Sequence, residues 1–404
     1  MRDARNLYSG IYQGMLFVMI LIGMQINASW ALESNAALFY YQALIECPLD
    51  RPLSSDEIRM LKSGSDISDA LRQKMKIYRE TVVRPVEVGT QAEYCKWGLP
   101  VPSSRSTMMF QNLHGLGYIV WADAHLLLWN GDGEEAIKRC VTLHQLACHV
   151  GLNRDFSLWG LQSEFTVVDA ASRVLNTKPV ESHTLSWLRT QLEVKVERSQ
   201  WLINSIRRVA KDSLYLFEQN CRERNGIKRY RSSVRLDATD TYKASKKDWD
   251  SYSDDELHTM IRDHYANTVD RLCLALTDIK PPYEPAFKKI YEMFPFDDER
   301  DNPLIVPELR SEELFYADDR FLNAEIRMNA LKAAIDIYLI QEQTGELPRI
   351  IPPGLPTNPC TNEPFKYTVK DDGFVLSYTK DGNFGPETKE IEFNCPVSLG
   401  PLNN

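Results

Sequence analysis

Two carboxylates and one imidazole are the side chains of this sequence best suited to acid–base catalysis. Glu164 and Asp169 lie in a segment that is otherwise rich in apolar residues, and a carboxyl group buried in such surroundings keeps its proton to higher pH than usual. His125 adds an imidazole, which changes charge near neutral pH. If the three side chains met in one pocket, they would form a candidate catalytic site of a hydrolase. A solvent-exposed helix edge is the simpler explanation for both carboxylates, and we prefer it.

A second group of reactive side chains follows helical spacing. Cys140, His144 and Cys148 recur at every fourth residue, which places them on one face of a helix. Zinc is bound by Cys and His, but usually by four ligands from at least two segments. Because the same face also carries apolar side chains, the pattern favours a buried core stripe over a metal site. The sequence contains no paired-histidine zinc motif, no nucleophile elbow and no phosphate-binding loop, so these motifs predict no catalytic metal and no cofactor.

The N-terminus has the pattern of a secretory signal. Arg2 and Arg5 precede an apolar run from Met15 to Ile26, and small residues stand at positions 29 and 31. The run is shorter than the roughly 20 residues that a membrane-spanning helix needs. We therefore expect residues 1–31 to be a signal peptide cleaved after Ala31; an uncleaved N-terminal anchor is the alternative. In both cases the rest of the chain is predicted to work outside the cytoplasm, in the periplasm or envelope.

Composition and charge restrict the class of partner. The chain has 404 residues, a formal net charge of −9, 43% hydrophobic residues and 25% charged residues, which is typical of a globular protein. Nucleic acids and anionic lipids attract basic faces, and this chain is acidic. We expect a protein or peptide partner, no nucleic acid, and membrane contact only through an uncleaved N-terminal segment.

The cysteine count is compatible with disulfide bonds. The chain has eight cysteines, an even number that an oxidising compartment could convert into bridges. Cys360 with Cys395 is the pair we favour, because these two bracket a C-terminal segment without another cysteine between or after them. Cys47 with Cys95 is a second prediction.

The apolar periodicity predicts a mainly α-helical fold. A first helix is expected over residues 35–45 with Ser34 as its cap, and others from 54, over 67–83 with an end near Pro85, and over 157–175, 183–194, 196–218, 254–276 and 313–344. Two further helices flank the turn Asn130–Gly133 and form an antiparallel hairpin. Alternating residues on both sides of 370–372 predict a β-hairpin, with a third strand near 390–393. The predicted organisation is a helical domain over 32–280, a proline-rich connection over 281–307, and a small α+β unit over 308–404.

The helical hairpin resembles a tetratricopeptide repeat. Residues 131–137 are similar to the turn and to the start of the second helix of that family. Ala124 and Ala136 stand at its small-residue positions, and Cys140 and Leu143 continue its inner face. The resemblance covers about one repeat and implies a body built from antiparallel helical hairpins.

The C-terminal part resembles the globular end of type II secretion pseudopilins. The similar residues are Ala334, Tyr338, Gly345, Leu347 and Pro348, together with residues 358–367, 373–374 and 380–382. In that family the loop corresponding to residues 381–385 helps to hold calcium. The resemblance therefore makes Asp381 and Asn383 candidate calcium ligands, within a set of oxygen donors that is incomplete for this ion.

As a whole, the chain resembles a group of exported bacterial envelope proteins, a resemblance that implies architecture only. The preferred functional hypothesis is a non-catalytic, exported helical scaffold that binds a protein or peptide. The alternatives are an exported hydrolase of unknown substrate and a secretion-system accessory protein. The hydrolase hypothesis requires Glu164, Asp169 and His125 to converge, whereas the scaffold hypothesis does not.

Overall fold

The structure is a computed structural model that describes residues 35–47, 52–92, 94–97, 103–151, 157–193, 198–222, 253–277, 279–293, 312–382 and 385–394. The predicted signal peptide, Asn383 and Cys395 lie outside these residues. The predictions that depend on them therefore stay predictions.

The N-terminal part consists of short helices with well-defined caps. They are α1 (Ala36–Glu46), α2 (Ser55–Ser63), α3 (Asp69–Tyr78) and α4 (Arg84–Thr90), and a π-helical turn, Arg79–Val83, joins α3 to α4. Asn35 caps α1, because its side chain accepts a hydrogen bond of 3.2 Å from the backbone N–H of Ala37. This is the role that the sequence assigned to Ser34. Ser54 and Glu57 form a reciprocal capping box at the start of α2.

Pro85 does not end a helix as the sequence predicted. It lies in the first turn of α4, where the N–H that proline lacks would have no partner within the helix. The π-helical turn before it closes with a hydrogen bond from the Arg84 N–H to the Arg79 carbonyl. The chain therefore continues in helical conformation to Thr90.

The predicted antiparallel hairpin is confirmed. Its helices are α5 (Ser103–Trp129) and α6 (Gly133–Gly151), which pack against each other. The turn between them requires Gly131, whose φ of +91° lies in the left-handed region. Asp132 then accepts a hydrogen bond of 3.1 Å from the backbone N–H of Glu135 and caps α6.

The following helices agree with the prediction except at one point. They are α7 (Ser157–Thr177), α8 (Ser182–Gln191), α9 (Arg198–Arg222), α10 (Asp254–Thr277) and α11 (Tyr283–Met293). Helix α11 lies within the segment predicted to be a proline-rich connection, because Pro285 falls in its first turn, where proline is compatible with a helix. Within the described ranges, no helix combines the length and the apolarity that crossing a membrane requires.

The C-terminal part contains one long helix and one small sheet. Helix α12 (Glu312–Thr344) ends at Gly345, whose φ of +81° lies in the left-handed region that glycine adopts readily. Strands β1 (Lys366–Lys370), β2 (Gly373–Gly382) and β3 (Gly385–Asn394) form an antiparallel sheet in the order β1-β2-β3. The predicted β-hairpin is present, but Lys370, which the sequence placed in the turn, pairs with Gly373, so the turn between β1 and β2 has two residues. The predicted fold class, mainly α with a small C-terminal antiparallel sheet, is confirmed.

The C-terminal part packs directly on the helical body. A single hydrophobic core cluster includes residues of both, and α12 contacts α7, α8 and α9. Arg189 on α8 donates a hydrogen bond of 2.9 Å to Asp336 on α12. The Asn176 side chain on α7 donates to the Glu392 carbonyl at 3.2 Å and accepts from the Asn394 N–H at 3.0 Å. Through these two bonds, α7 covers the backbone of the edge strand β3.

Candidate functional site

The structure places the two candidate carboxylates of α7 on different sides of the helix. Glu164 and Asp169 are five residues apart, which corresponds to a rotation of about 140°. Glu164 is fully buried and faces α6, where its Oε1 lies 2.9 Å from Nδ1 of His144. Asp169 is exposed and accepts a hydrogen bond of 3.1 Å from Nε1 of Trp121 on α5. The two carboxylates therefore have different partners.

His125 lies beside Trp121, not beside Glu164. Its ring centroid is 4.0 Å from that of Trp121, and its Nδ1 donates a hydrogen bond of 3.0 Å to the Trp121 carbonyl one turn earlier. Burial lowers the pKa of His125 to about 4, although the Asp169 carboxylate acts in the opposite direction. His125 is therefore neutral at pH 7. Trp121 brings His125 and Asp169 into one neighbourhood, and Glu164 belongs to another.

The neutral state of His125 predicts a pH-dependent stability. The folded protein keeps this imidazole unprotonated down to about pH 4, whereas in the unfolded chain it takes up a proton near pH 6.5. Stability is therefore lost as the pH falls from 6.5 towards 4, by about 2 kcal/mol at pH 5. His125→Phe keeps the aromatic contact and removes the titration. We expect it to reduce the loss of unfolding free energy between pH 7 and pH 5 by about that amount in urea titrations.

The control for this prediction is the exposed His183. His183→Phe is the same substitution at an exposed histidine. An equal effect of both substitutions would contradict the assignment of the acid sensitivity to burial of His125.

The most concentrated group of reactive side chains is formed by His144, Cys148 and Glu164. His144 and Cys148 lie one turn apart on the same face of α6, and Glu164 approaches them from α7. Nε2 of His144 is 3.8 Å from Sγ of Cys148, and its Nδ1 faces Glu164. His144 and Glu164 are fully buried and Cys148 is 8% exposed. The order of the groups is thus carboxylate, imidazole, thiol.

The sequence detected the parts of this cluster but not their combination. It grouped His144 with Cys148 and Cys140 as a core stripe, and the burial of this stripe is confirmed. It grouped Glu164 with Asp169. Only the packing of α7 on α6 brings Glu164 to His144, and nothing in the spacing along either helix could have indicated that register.

Electrostatics favours a charged pair inside the cluster. Burial lowers the pKa of His144, but the Glu164 carboxylate and the neighbouring Cys148 raise it by more. The net effect is a pKa of about 10. The direction of this shift favours a protonated imidazole beside the Glu164 side chain. Such a group can tie two helices together, activate a thiol, or serve as a set of metal ligands.

Glycines allow α6 to pack closely against α7 and against α9. A Cβ atom on Gly160 of α7 would lie 2.5 Å from the Cα of Gly151 and 2.9 Å from the Ala147 carbonyl oxygen of α6. A Cβ atom on Gly151 would lie 2.3 Å from the indole ring of Trp201. The contact that positions Glu164 opposite His144 therefore depends on residues without side chains.

A second buried polar group joins four helical segments. Asp123 on α5 is fully buried and accepts hydrogen bonds from Arg79 Nη2 at 2.7 Å and from Arg139 Nε at 2.8 Å. Arg139 also contacts the Glu87 carboxylate of α4. Burial raises the pKa of Glu87, and the positive charge of Arg139 opposes this effect. Each of these four side chains therefore has an oppositely charged partner within the cluster. The cluster connects the π-helical turn, α4, α5 and α6.

The second disulfide prediction is wrong. No disulfide bond joins the described cysteines. Cys47 follows the C-terminus of α1, whereas Cys95 adjoins Tyr94, which pairs with Asn35 at the N-terminus of the same helix. The 11 residues of α1 span about 16 Å, far beyond the Cα separation of about 7 Å that a disulfide allows.

Two other predictions fall partly outside the described residues. Cys360 is a buried thiol, and burial raises its pKa to about 12, but its predicted partner Cys395 is not described. Asp381 pairs with Pro386 in the ladder between β2 and β3, whereas Asn383 is not described. The Cys360–Cys395 bridge and the calcium site therefore stay predictions.

No protein-family model matches the sequence, and neither curated proteins nor solved structures gave a match to the chain. The function is therefore argued from the residues of the chain itself.

Proposed function

We propose that the protein is an exported, non-catalytic helical scaffold that binds a protein or peptide. The observation that carries this proposal is the pairing of buried titratable groups with each other. Glu164 faces His144, and Asp123 faces Arg79 and Arg139. Titratable groups that face oppositely charged groups inside a core stabilise an architecture, whereas a hydrolase needs such groups at the wall of an accessible pocket.

Exposed apolar side chains support the binding part of the proposal. Ile77 on α3 is 62% exposed and Leu274 on α10 is 74% exposed. Trp187 on α8 is also exposed, and tryptophan is enriched at the energetic centres of protein interfaces. These residues lie on rigid helices, which lose little conformational entropy on binding.

Two alternatives have their own supporting observations. The order of carboxylate, imidazole and thiol in Glu164, His144 and Cys148 favours an exported hydrolase with a thiol nucleophile. The long helix followed by a small antiparallel sheet favours a secretion-system accessory protein, because the pseudopilin resemblance implies the same order of elements. Neither observation supplies an open site for a substrate or an assembly partner, so the scaffold proposal is preferred.

The scaffold proposal is tested by site-specific photo-crosslinking in the native envelope. A photoreactive residue is introduced separately at Trp187, Leu274 and Ile77 of the full chain. We expect at least one position to give a discrete adduct with one protein, and a charged substitution at that position to abolish it. The buried Leu188, which is fully covered, is the control and should give no adduct with another protein. Absence of adducts at all three positions would contradict the proposal.

The same preparations test export. Fractionation is expected to place the protein in the periplasm or envelope, and its mature N-terminus is expected at Leu32. A chain that stays in the cytoplasm would contradict the exported part of the proposal, whatever the crosslinking shows.

A further inference from the structure

The three donor groups of His144, Cys148 and Glu164 have the separations of a metal site. One donor atom of each residue lies within 4.8 Å of the donor atoms of the other two. Bonds of about 2.3 Å to sulfur and about 2.0–2.1 Å to nitrogen, at a tetrahedral angle, separate these two donors by about 3.6 Å. The observed distance between Cys148 Sγ and His144 Nε2 is 3.8 Å. A shift of the Glu164 side chain would complete a set of three ligands.

We propose that His144, Cys148 and Glu164 bind a zinc ion between α6 and α7. Thiolate, imidazole and carboxylate together suit zinc better than calcium or magnesium, which prefer oxygen ligands alone. Two of the ligands are on one helix and the third is on another, so the ion would join two segments. The fourth position is filled by a water molecule or an exogenous ligand, as in zinc sites with three protein ligands.

Charge balance supports this assignment. Zinc binds cysteine as the thiolate and histidine as the neutral imidazole, so any protons on these ligands go to solvent when the ion binds. The charge of +2 on the ion is then balanced by the Cys148 thiolate and the Glu164 carboxylate. The occupied site has no net charge, so binding leaves no uncompensated charge in the core.

The same helix provides an internal comparison. Cys140 lies two turns before Cys148 on the same face and is also fully buried, but no His–Glu pair accompanies it among the described residues. Cys140 is therefore a buried cysteine of the same helix face that does not belong to the proposed ligand set. It is the matched control for Cys148.

The proposal is tested by titrating cobalt(II), a spectroscopic substitute for zinc, into the reduced, metal-free full chain. We expect one equivalent to bind and to produce a thiolate-to-cobalt charge-transfer absorption in the near ultraviolet, which zinc then displaces. Cys148→Ser should abolish the absorption, and Cys140→Ser should retain it. His144→Gln and Glu164→Gln should each weaken binding by about 10- to 100-fold or more. Circular dichroism of each variant verifies that it is folded.

A second measurement uses the unsubstituted protein. Alkylation of Cys148 by iodoacetamide, located by peptide mass spectrometry, should slow at least tenfold when one equivalent of zinc is present, and alkylation of Cys140 should not change. The proposal is overturned if cobalt gives no charge-transfer absorption, if Cys148→Ser retains it, or if zinc leaves the alkylation of Cys148 unchanged. None of these outcomes depends on whether the chain has a protein partner, so they do not bear on the scaffold proposal.

Discussion

Replacing Asp123 by alanine is expected to lower the free energy of unfolding by about 3–5 kcal/mol. Asp123 is fully buried and accepts hydrogen bonds from two arginines, of which Arg139 is itself almost completely buried. Removal of the carboxylate leaves the guanidinium of Arg139 without its fully buried partner, and the contacts that remain, to Glu87 and Glu135, are with partly exposed carboxylates. A buried charge that loses its buried partner is costly. Urea or thermal unfolding of the variant measures the loss.

Two further variants make this prediction specific. Glu80→Gln removes a carboxylate that pairs with Arg84 at the protein surface, and it should cost less than about 1 kcal/mol. The double variant Asp123→Ala, Arg139→Met removes both buried charges and should be less destabilised than the sum of the two single variants. Additive effects would contradict a direct coupling between Asp123 and Arg139.

Gly160→Ala is expected to destabilise the protein by about 3 kcal/mol. The new methyl group would lie 2.5 Å from the Cα of Gly151. The obstacle is backbone, which cannot rotate away as a side chain does, so α6 and α7 must separate. Separation also moves Glu164 away from His144, so the variant should bind cobalt more weakly than the unsubstituted chain.

Gly117→Ala is the matched control. Gly117 also lies in a helix, α5, but a Cβ atom built on it meets nothing within 4 Å among the described residues. Alanine is the better helix former, so this variant should be more stable by about 0.5–1 kcal/mol. If both glycine variants changed the free energy of unfolding in the same direction, the helix crossing at Gly160 would not be the cause of the destabilisation.

Most of the secondary structure could be predicted from the sequence because its causes are local. The turn at Gly131, the end of α12 at Gly345 and the capping box of Ser54 and Glu57 each depend on a few neighbouring residues. Pro85 shows the limit of this reasoning. A proline in the interior of a helix breaks it, whereas a proline in the first turn does not. Pro85 lies in a first turn because a π-helical turn precedes α4.

The candidate site was predictable only in parts. The sequence identified Glu164 as an acidic residue in apolar surroundings, and it identified His144 and Cys148 as one helical face. It also joined Glu164 with Asp169 and His125, although the structure gives Glu164 a partner on another helix. Proximity along a chain constrains which residues share a face, but it does not constrain which face of a second helix packs against it.

The sequence by itself determined that the chain forms a mainly helical body with a small C-terminal sheet, because periodicity, capping and turn residues act over short distances. The tertiary structure decided which polar groups meet in the core: Asp123 with two arginines, and Glu164 with His144 beside Cys148. The physical reason is that a buried charge requires a partner, and the packing of the helices determines which group lies close enough to be that partner. The contact between α6 and α7 depends here on the missing side chain of Gly160, whose importance appears only when the two helices are seen together.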